Sequence, residues 1–324
     1  MNIYITRQVP QIAIDILSAK GYQVEVGEKT TPLSKEELMT LAQSQKYNAF
    51  LTLLTDGIDE DFIKAAGPNL KVISNYAIGF NNIDVASANK NGVMVTNTAG
   101  VSCDCVSEHA VALVFALTTR LVEGDKFVRG GKYTGWDPMI FIGSDVCGKT
   151  VGLLGAGNIG EKFAQHMAKG FDSKIVYYDI KRNEKMEKEL GATYFDNVEE
   201  VLKCSDIVSL HVPLLPTTKH LINAERLGMM KKTAILINTS RGPVIDENAL
   251  VQALKGGVIA GAGLDVYEFE PKLADGLVDL NNVVLTPHIA SAREGARNEM
   301  ARMAAQNIID CLEGKDPAGL VRLA

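Results

Sequence analysis

The sequence predicts an α/β protein built of two doubly wound parallel-sheet domains with an active-site cleft between them. Short β-branched runs alternate with helical patterns along almost the whole chain, the signature of βαβ units. The strand-like runs are continuously apolar rather than alternating, which fits sheets covered by helices on both faces. The 324 residues suffice for about two domains.

The elements follow in order. Residues 3–6, 49–54, 71–74 and 93–96 read as buried strands, with helical patterns over 8–19, 35–47 and 60–66 between them. A second series of six strands covers 151–154, 174–178, 207–211, 234–238, 262–265 and 283–286. Between the two series the spacing predicts one helix over 102–124, because Val106, Ala110, Leu113, Val114, Leu117 and Leu121 fall three or four apart on a single apolar stripe. The last segment, 292–313, is again helical. If it returns to the first domain, the chain crosses twice between lobes. No repeat or low-complexity tract interrupts the pattern.

A net charge of −6 argues against the basic face that nucleic acid or an anionic membrane requires. The most apolar run, 110–117, is far shorter than the ~20 residues of a membrane span. The N-terminus, Met1-Asn2-Ile3-Tyr4-Ile5-Thr6, lacks the pattern of a signal peptide. Cys103, Cys105, Cys147, Cys204 and Cys311 form no C-x-x-C pair, so no metal site is expected. Reduced thiols in a cytoplasmic protein are the expectation.

The strand at 151–154 runs into Gly155-Ala156-Gly157-Asn158-Ile159-Gly160 and then a helix. In G-x-G-x-x-G the first glycine makes the tight turn, the second admits backbone to a pyrophosphate, and the third lets helix pack on strand. The helix N-terminus offers N–H groups and a positive dipole end to the phosphate. Asp179 lies nineteen residues after Gly160, at the end of the next strand, where a carboxylate binds ribose hydroxyls. Its charge repels a 2′-phosphate, so NAD is expected over NADP. Lys181 and Arg182 either soften that preference or are solvated surface charges.

Three further residues lie just past strand ends: Arg241, Glu270 and His288. Ligands of open α/β sheets bind at such ends. A planar guanidinium grips a carboxylate and polarises a neighbouring keto oxygen. An imidazole donates a proton near neutral pH, and a carboxylate beside it fixes the ring and favours imidazolium. The set fits hydride transfer to C2 of a small 2-keto acid, with His288 as acid in reduction and base in oxidation. Glu268 is an alternative partner to Glu270. His109, His166 and His220 have weaker cases. His211, at a strand end on the adenine side, suits a structural or cofactor-wall role.

Taken with G-A-G-N-I-G at 155–160, the motifs H-V-P-L at 211–214, N-T-S-R-G at 238–242, G-L-D-V at 263–266, E-P at 270–271 and T-P-H-I-A at 286–290 make the chain resemble the D-isomer-specific 2-hydroxyacid dehydrogenases over nearly its full length. The resemblance implies Arg241, Glu270 and His288 as the catalytic set. It implies that Leu54, the backbone N–H groups of Ile78 and Gly79, Arg241 and Trp136 meet substrate. The cofactor residues it implies run from Gly155, Gly157, Asn158, Ile159 and Gly160 through Asp179, Ile180 and Lys181. They continue with His211, Val212, Pro213, Thr218, Thr239, Ser240, Arg241, Asp265, His288 and Ala290, Asp265 lying near the nicotinamide amide.

The implied domains are residues 1–100 plus 290–324 for substrate and 101–289 for NAD, with the helix after Ser102 serving as a homodimer arm. Residues 75–97 and 136–150 look most like glyoxylate/hydroxypyruvate reductases. In that subgroup a tryptophan at the place of Trp136 reaches the neighbouring subunit's pocket; the alternative is a buried interface aromatic. Two departures stand out: some such reductases have basic residues where Asp179 stands, and position 290 is Ala where Gly is usual. The rival substrate readings are D-lactate and branched-chain 2-hydroxy acids. A reading of another class is an NAD-sensing interaction protein with little turnover.

Overall fold

A computed structural model describes residues 1–322. The chain divides into two compact units, Met1–Ser102 joined by the chain from Ala292 onward, and Cys103–Ser291.

The first unit contains β1 (Asn2–Ile5), α1 (Gln11–Ala19), β2 (Gln23–Val26), α2 (Lys35–Gln43), β3 (Ala49–Thr52), α3 (Glu60–Ala66), β4 (Val72–Asn75), α4 (Val85–Lys90) and β5 (Met94–Thr96). Its strands are all parallel, in the order β2-β1-β3-β4-β5. Because side chains alternate across a strand, each strand feeds two cores. Ile3, Ile5, Ala49 and Leu51 enter one cluster with the C-terminal helix, while Tyr4 and Phe50 enter the other with α2 and α3. Full burial of such an apolar side chain contributes about 1.5–3 kcal/mol, so covering both faces stabilises a sheet of very short strands.

The second unit contains α5 (Cys103–Thr118), α6 (Leu121–Arg129), β6 (Thr150–Leu154), α7 (Asn158–Phe171), β7 (Lys174–Tyr178), α8 (Glu184–Leu190), β8 (Thr193–Tyr194), α9 (Val198–Cys204), β9 (Ile207–Leu210), α10 (Ala224–Met229), β10 (Ile235–Asn238), α11 (Glu247–Lys255), β11 (Gly261–Leu264) and β12 (Val283–Leu285). The strand order is β12-β11-β10-β9-β6-β7-β8, all parallel. Chain order reverses at β6, which has β9 on one side and β7 on the other; that is where a doubly wound sheet opens a ligand crevice. Leu236 faces one core, and Ile235 and Ile237 face the other. The last helix, α12 (Glu294–Leu312), packs on α1 and β4 of the first unit.

Four expectations need correction. The helix expected over 102–124 is two helices, bent by 62°. Arg120 sits at φ 54° between them. The carbonyl of Thr118 turns aside to accept from the Ser144 N–H at 2.9 Å, and Arg120 pairs through Nε and Nη2 with Glu123 at 2.5 and 3.0 Å. Leu121, expected on the buried stripe, is 64% exposed as a result. The first series lacked β2, whose QVEV sequence is only half-buried. The second series has seven strands rather than six, because β8 is a two-residue edge strand too short to show a period. Helix 35–47 stops at Gln43, since Gln45 takes φ 50° and delivers Tyr47 to the core beside Tyr4 and Phe50.

Among the described residues no single helix is long and apolar enough to cross a membrane. None of their His, Cys, Asp and Glu side chains is grouped to hold a metal ion. The five cysteines are free thiols, and burial pushes that of Cys103 up, away from nucleophilic thiolate.

Candidate active site

Seven of the twelve described α-helices begin with a side-chain cap: Ser34, Asp59, Asp84, Asn183, Asn197, Asn223 and Asp246 each accept from a first-turn N–H. Helix α7, like α1, α6 and α12, does not. Its N-cap is Gly157, with no side chain to occupy the orphan N–H groups.

The glycines before it divide by role. A Cβ on Gly155, at φ +100°, would meet the His211–Val212 backbone at 2.7–2.8 Å, and one on Gly160 would lie 2.2 Å from the Gly155 carbonyl. A Cβ on Gly157 would meet nothing within 4 Å. The first and third glycines are therefore demanded by the protein's own packing, and the second keeps open the space at the helix end. Uncapped donors beside open space fit a pyrophosphate.

Asp179 stands just past β7. Its Oδ2 accepts from Ala156 N at 2.6 Å and its Oδ1 from Lys181 N at 3.2 Å. The carboxylate is thereby tied to the glycine loop. Ile180 is 93% exposed beside it. Arg182 pairs with Glu187 through Nε and Nη2, at 3.1 and 2.5 Å, and its guanidinium lies 5.2 Å from the centre of the Tyr194 ring. It is thus occupied on the surface, while Lys181 is exposed.

His211 packs on Phe163, and its Nε2 lies 2.9 Å from Ser209 Oγ. Burial pushes its pKa down to about 3, so it is a neutral wall residue rather than a proton donor. Val212 is half-buried beside it and Pro213 exposed; Thr218 Oγ1 donates to Pro213 O at 2.6 Å, closing the turn after β9. Thr239, just past β10, has a buried hydroxyl with no partner among the described residues. An orphaned polar atom at a strand end fits a ligand group.

The charged residues come together in this same unit. Asn238 shapes the loop after β10: its Oδ1 accepts from Ser240 N and Oγ at 3.0 and 2.9 Å, and its Nδ2 donates to Arg241 O at 3.0 Å. Arg241 donates through Nη1 to Ser240 O at 2.7 Å. A Cβ on Gly242 would lie 1.8 Å from Tyr267 O, so only glycine lets this loop abut the one carrying Glu270. Burial pulls the Arg241 guanidinium below its ordinary range, opposed by the charge of Glu270.

His288 Nδ1 lies 3.0 Å from Glu270 Oε2, and Glu270 Oε1 accepts from Tyr267 N at 3.0 Å. Burial would raise the Glu270 pKa. The His288 hydrogen bond and charge, the Tyr267 N–H and Arg241 outweigh it and hold the carboxyl below its usual range. An ionised carboxylate only accepts, so Nδ1 carries the proton of this bond and Nε2 is left for chemistry.

The alternative partner is assigned elsewhere: Glu268 takes His220 Nε2 at 2.6 Å and Glu247 N at 3.2 Å. Since His220 N also donates to Pro243 O, this pair ties the Arg241 and Glu270 loops from behind. No spacing in the sequence links residues 220 and 268, which is why it was missed.

Asp265 is fully buried. It accepts from Thr286 Oγ1 at 2.6 Å and from Ile289 N and Ala290 N at 2.8 Å each. Thr286 Oγ1 also lies 3.0 Å from His109 Nε2. Those bonds shape the turn that places His288 at φ 55°. Left-handed backbone costs a residue about 1–2 kcal/mol; three hydrogen bonds at about 1 kcal/mol each outweigh that. The turn's unusual φ thus belongs to His288 and not to position 290, which explains why Ala serves there.

Leu54, Ile78 and Gly79 belong to the first unit, in the loops after β3 and β4. Trp136 is 84% exposed in the segment after α6, with Tyr133, Met139 and Ile142 at 60%, 71% and 60%.

Residues 111–290 match the family described as "D-isomer specific 2-hydroxyacid dehydrogenase, NAD binding domain". A glyoxylate reductase of Thermococcus litoralis is 46% identical over 99% of this chain and 96% of its own. One of Thermofilum pendens is 48% identical over 99% and 94%. A solved structure of a Thermus thermophilus protein superposes with a TM-score of 0.92 at 37% identity, covering 99% of this chain and all of the other. With the uncapped glycine loop, the orphaned Thr239 and the Glu270–His288 pair at the strand ends, these likenesses establish that the chain belongs to the D-isomer-specific 2-hydroxyacid dehydrogenases and is a nicotinamide-linked oxidoreductase of 2-hydroxy and 2-keto acids.

Proposed function

We propose that the enzyme reduces glyoxylate or hydroxypyruvate with NADH, His288 donating the proton to the C2 oxygen. The observation that carries this reading is the Glu270–His288 pair, bonded through Nδ1 at 3.0 Å, because it fixes the ring and leaves Nε2 for the substrate. The names of the relatives favour glyoxylate over lactate or branched acids.

When bound, the nicotinamide supplies the hydride to C2. Arg241 grips the substrate carboxylate and steadies charge developing on the keto oxygen. In the first unit the backbone N–H groups of Ile78 and Gly79 are offered to the substrate carboxylate, with Leu54 in the loop after β3. The unit from Met1 to Ser102 with α12 is accordingly the substrate domain. The other unit binds NAD through Gly155, Gly157, Asn158, Ile159 and Gly160, with Asp179 on the ribose and Ile180 against the adenine. Asp179 excludes a 2′-phosphate, and Arg182 is already paired with Glu187.

The exposed apolar segment around Trp136 is read as the face of a homodimer, since patches of this kind mark association surfaces. The enzyme is expected in the cytoplasm.

The test is turnover of NADH, then NADPH, against glyoxylate, hydroxypyruvate, pyruvate and 2-ketoisocaproate. The proposal expects the highest kcat/KM with the first two, and NADH ahead of NADPH. A preference for pyruvate or the branched acid moves the enzyme to another substrate branch; a preference for NADPH removes the role given to Asp179; absence of turnover supports the sensor reading. Sedimentation of the intact chain should give a dimer mass, and a monomer at micromolar concentration would refute the interface.

A further inference from the structure

The loop after β4 holds a set of buried amides that the chemistry above does not use. Asn75, the last residue of β4, is fully buried. Its Nδ2 donates to Gly79 O at 2.8 Å, and its Oδ1 accepts from Thr52 Oγ1 at 3.0 Å. Asn97, just past β5 and 8% exposed, donates through Nδ2 to Ile78 O at 2.7 Å. Thr98 N donates to Ala77 O at 2.8 Å. Asn82 locks with Asn75 amide to amide at 3.0 Å, and its Nδ2 donates to Leu53 O at 3.1 Å and Asp56 O at 2.9 Å. Three successive carbonyls, of residues 77, 78 and 79, are thus each held by a donor supplied from the end of β4 or β5.

The consequence follows from the planar trans peptide. Carbonyl and N–H of one peptide unit point in opposite directions. Holding Ala77 O turns the Ile78 N–H away from β5. Holding Ile78 O turns the Gly79 N–H away from Asn97. Neither N–H donates to any described residue.

We infer that Asn97, which turns the Gly79 N–H through the Ile78 carbonyl, and Asn75, which with Asn82 clamps the next peptide plane at the Gly79 carbonyl, are positioning residues that keep the Ile78 and Gly79 N–H groups aimed at a carboxylate. Neutral carboxamides suit this role because they both donate and accept, and they bring no charge to repel the anion. The Asn82 bonds to Leu53 O and Asp56 O extend the hold to the loop bearing Leu54, so the two substrate loops of this unit share one scaffold. The inference rests on the reading that Ile78 and Gly79 receive the substrate carboxylate.

The test uses the full chain with NADH bound. Asn75→Ser and Asn97→Ser each lose the reach to their loop carbonyl. One hydrogen bond's worth of aim is about tenfold in affinity. The KM for glyoxylate should therefore rise about tenfold in either variant, with kcat changed by less than about threefold and NADH affinity unchanged. A merely structural role would lower the fraction of active enzyme, and so kcat, without moving KM. The second readout is the amide NMR resonances of Ile78 and Gly79 as oxamate, a carboxylate whose neighbouring carbonyl is an unreactive amide, is titrated. They should shift in the wild type, and need about tenfold more oxamate to shift in the variants.

If the wild-type resonances shift but the folded variants keep their KM, the positioning inference fails and the carboxylate reading stands. If the wild-type resonances ignore oxamate, the carboxylate reading fails and the inference with it. Should one variant not fold, the other decides.

Discussion

The two units use the same architecture, parallel strands with helices on both faces, but they equip their strand ends differently. In the Cys103–Ser291 unit the ends of β7 and β10 and the loops after β11 and β12 carry charge or titratable groups: Asp179, Arg241, Glu270 and His288. In the other unit the ends of β3, β4 and β5 carry Thr52, Asn75 and Asn97, neutral groups of which Asn75 and Asn97 turn onto the loop's own carbonyls and Thr52 donates to Asn75. On the proposed reading, one unit holds the hydride donor and a proton donor with its counter-charge, while the other offers backbone dipoles whose direction matters most. A charge works through its magnitude and tolerates small displacement; a backbone N–H works only if aimed.

The largest expected effect lies on the charged side. His288→Ala should lower kcat for keto-acid reduction by about 10²–10⁴-fold, the usual worth of a general acid, while NADH binding is retained. Glu270→Gln should cost less, since the ring keeps a hydrogen-bond partner but loses the charge-assisted bond that fixes it.

On the acid side the sign is fixed by the depressed pKa of Glu270. A carboxyl whose folded pKa lies below its unfolded value of about 4.3 contributes its full stabilisation above that value. The contribution is lost only as pH falls through the lower, folded pKa. In stopped-flow assays with NADH the acid limb of the wild type should therefore lie below about pH 4.3. If both His288→Ala and the asparagine variants changed only KM, the division of labour between the units would be gone.

Much of this was legible in the chain. The glycine loop and Asp179 announce themselves because they must sit at fixed distances along one βαβ unit. Arg241, Glu270 and His288 are legible for a related reason: each follows a readable strand, and parallel strands gather their carboxyl ends on one edge. The asparagine scaffold was not legible, because Asn75, Asn82 and Asn97 have no spacing that marks them until β4 and β5 pair and bring Asn75 and Asn97 to successive carbonyls of one loop, with Asn82 against Asn75. The break at Arg120 escaped for a similar reason. Residues 106–121 keep a helical period, and what ends the helix is a distant N–H, that of Ser144, taking the Thr118 carbonyl. Glu268 and Glu270 were equivalent in sequence; only the approach of His220 to one and His288 to the other separates them.

The smallest expected effects separate aim from packing inside the cofactor loop itself. Gly157→Ala and Gly160→Ala add the same methyl group three residues apart. At Gly160 that methyl collides with the Gly155 carbonyl, and overpacking of this kind costs about 1–3 kcal/mol of stability. At Gly157 it enters open space, and φ −75° with ψ −168° is backbone that alanine adopts freely. The folded protein should then be unharmed or slightly stabilised, by up to about 1 kcal/mol, through lost unfolded-state freedom. NADH affinity should nevertheless fall about tenfold, because the methyl stands where pyrophosphate meets the uncapped N–H groups of α7. Chemical denaturation read alongside NADH fluorescence titration distinguishes the two: stability falls in one variant and affinity in the other. Equal losses of stability would mean that the opening at Gly157 is merely slack in the turn, and the loop of the charged unit would then be positioned no more purposefully than an ordinary surface bend.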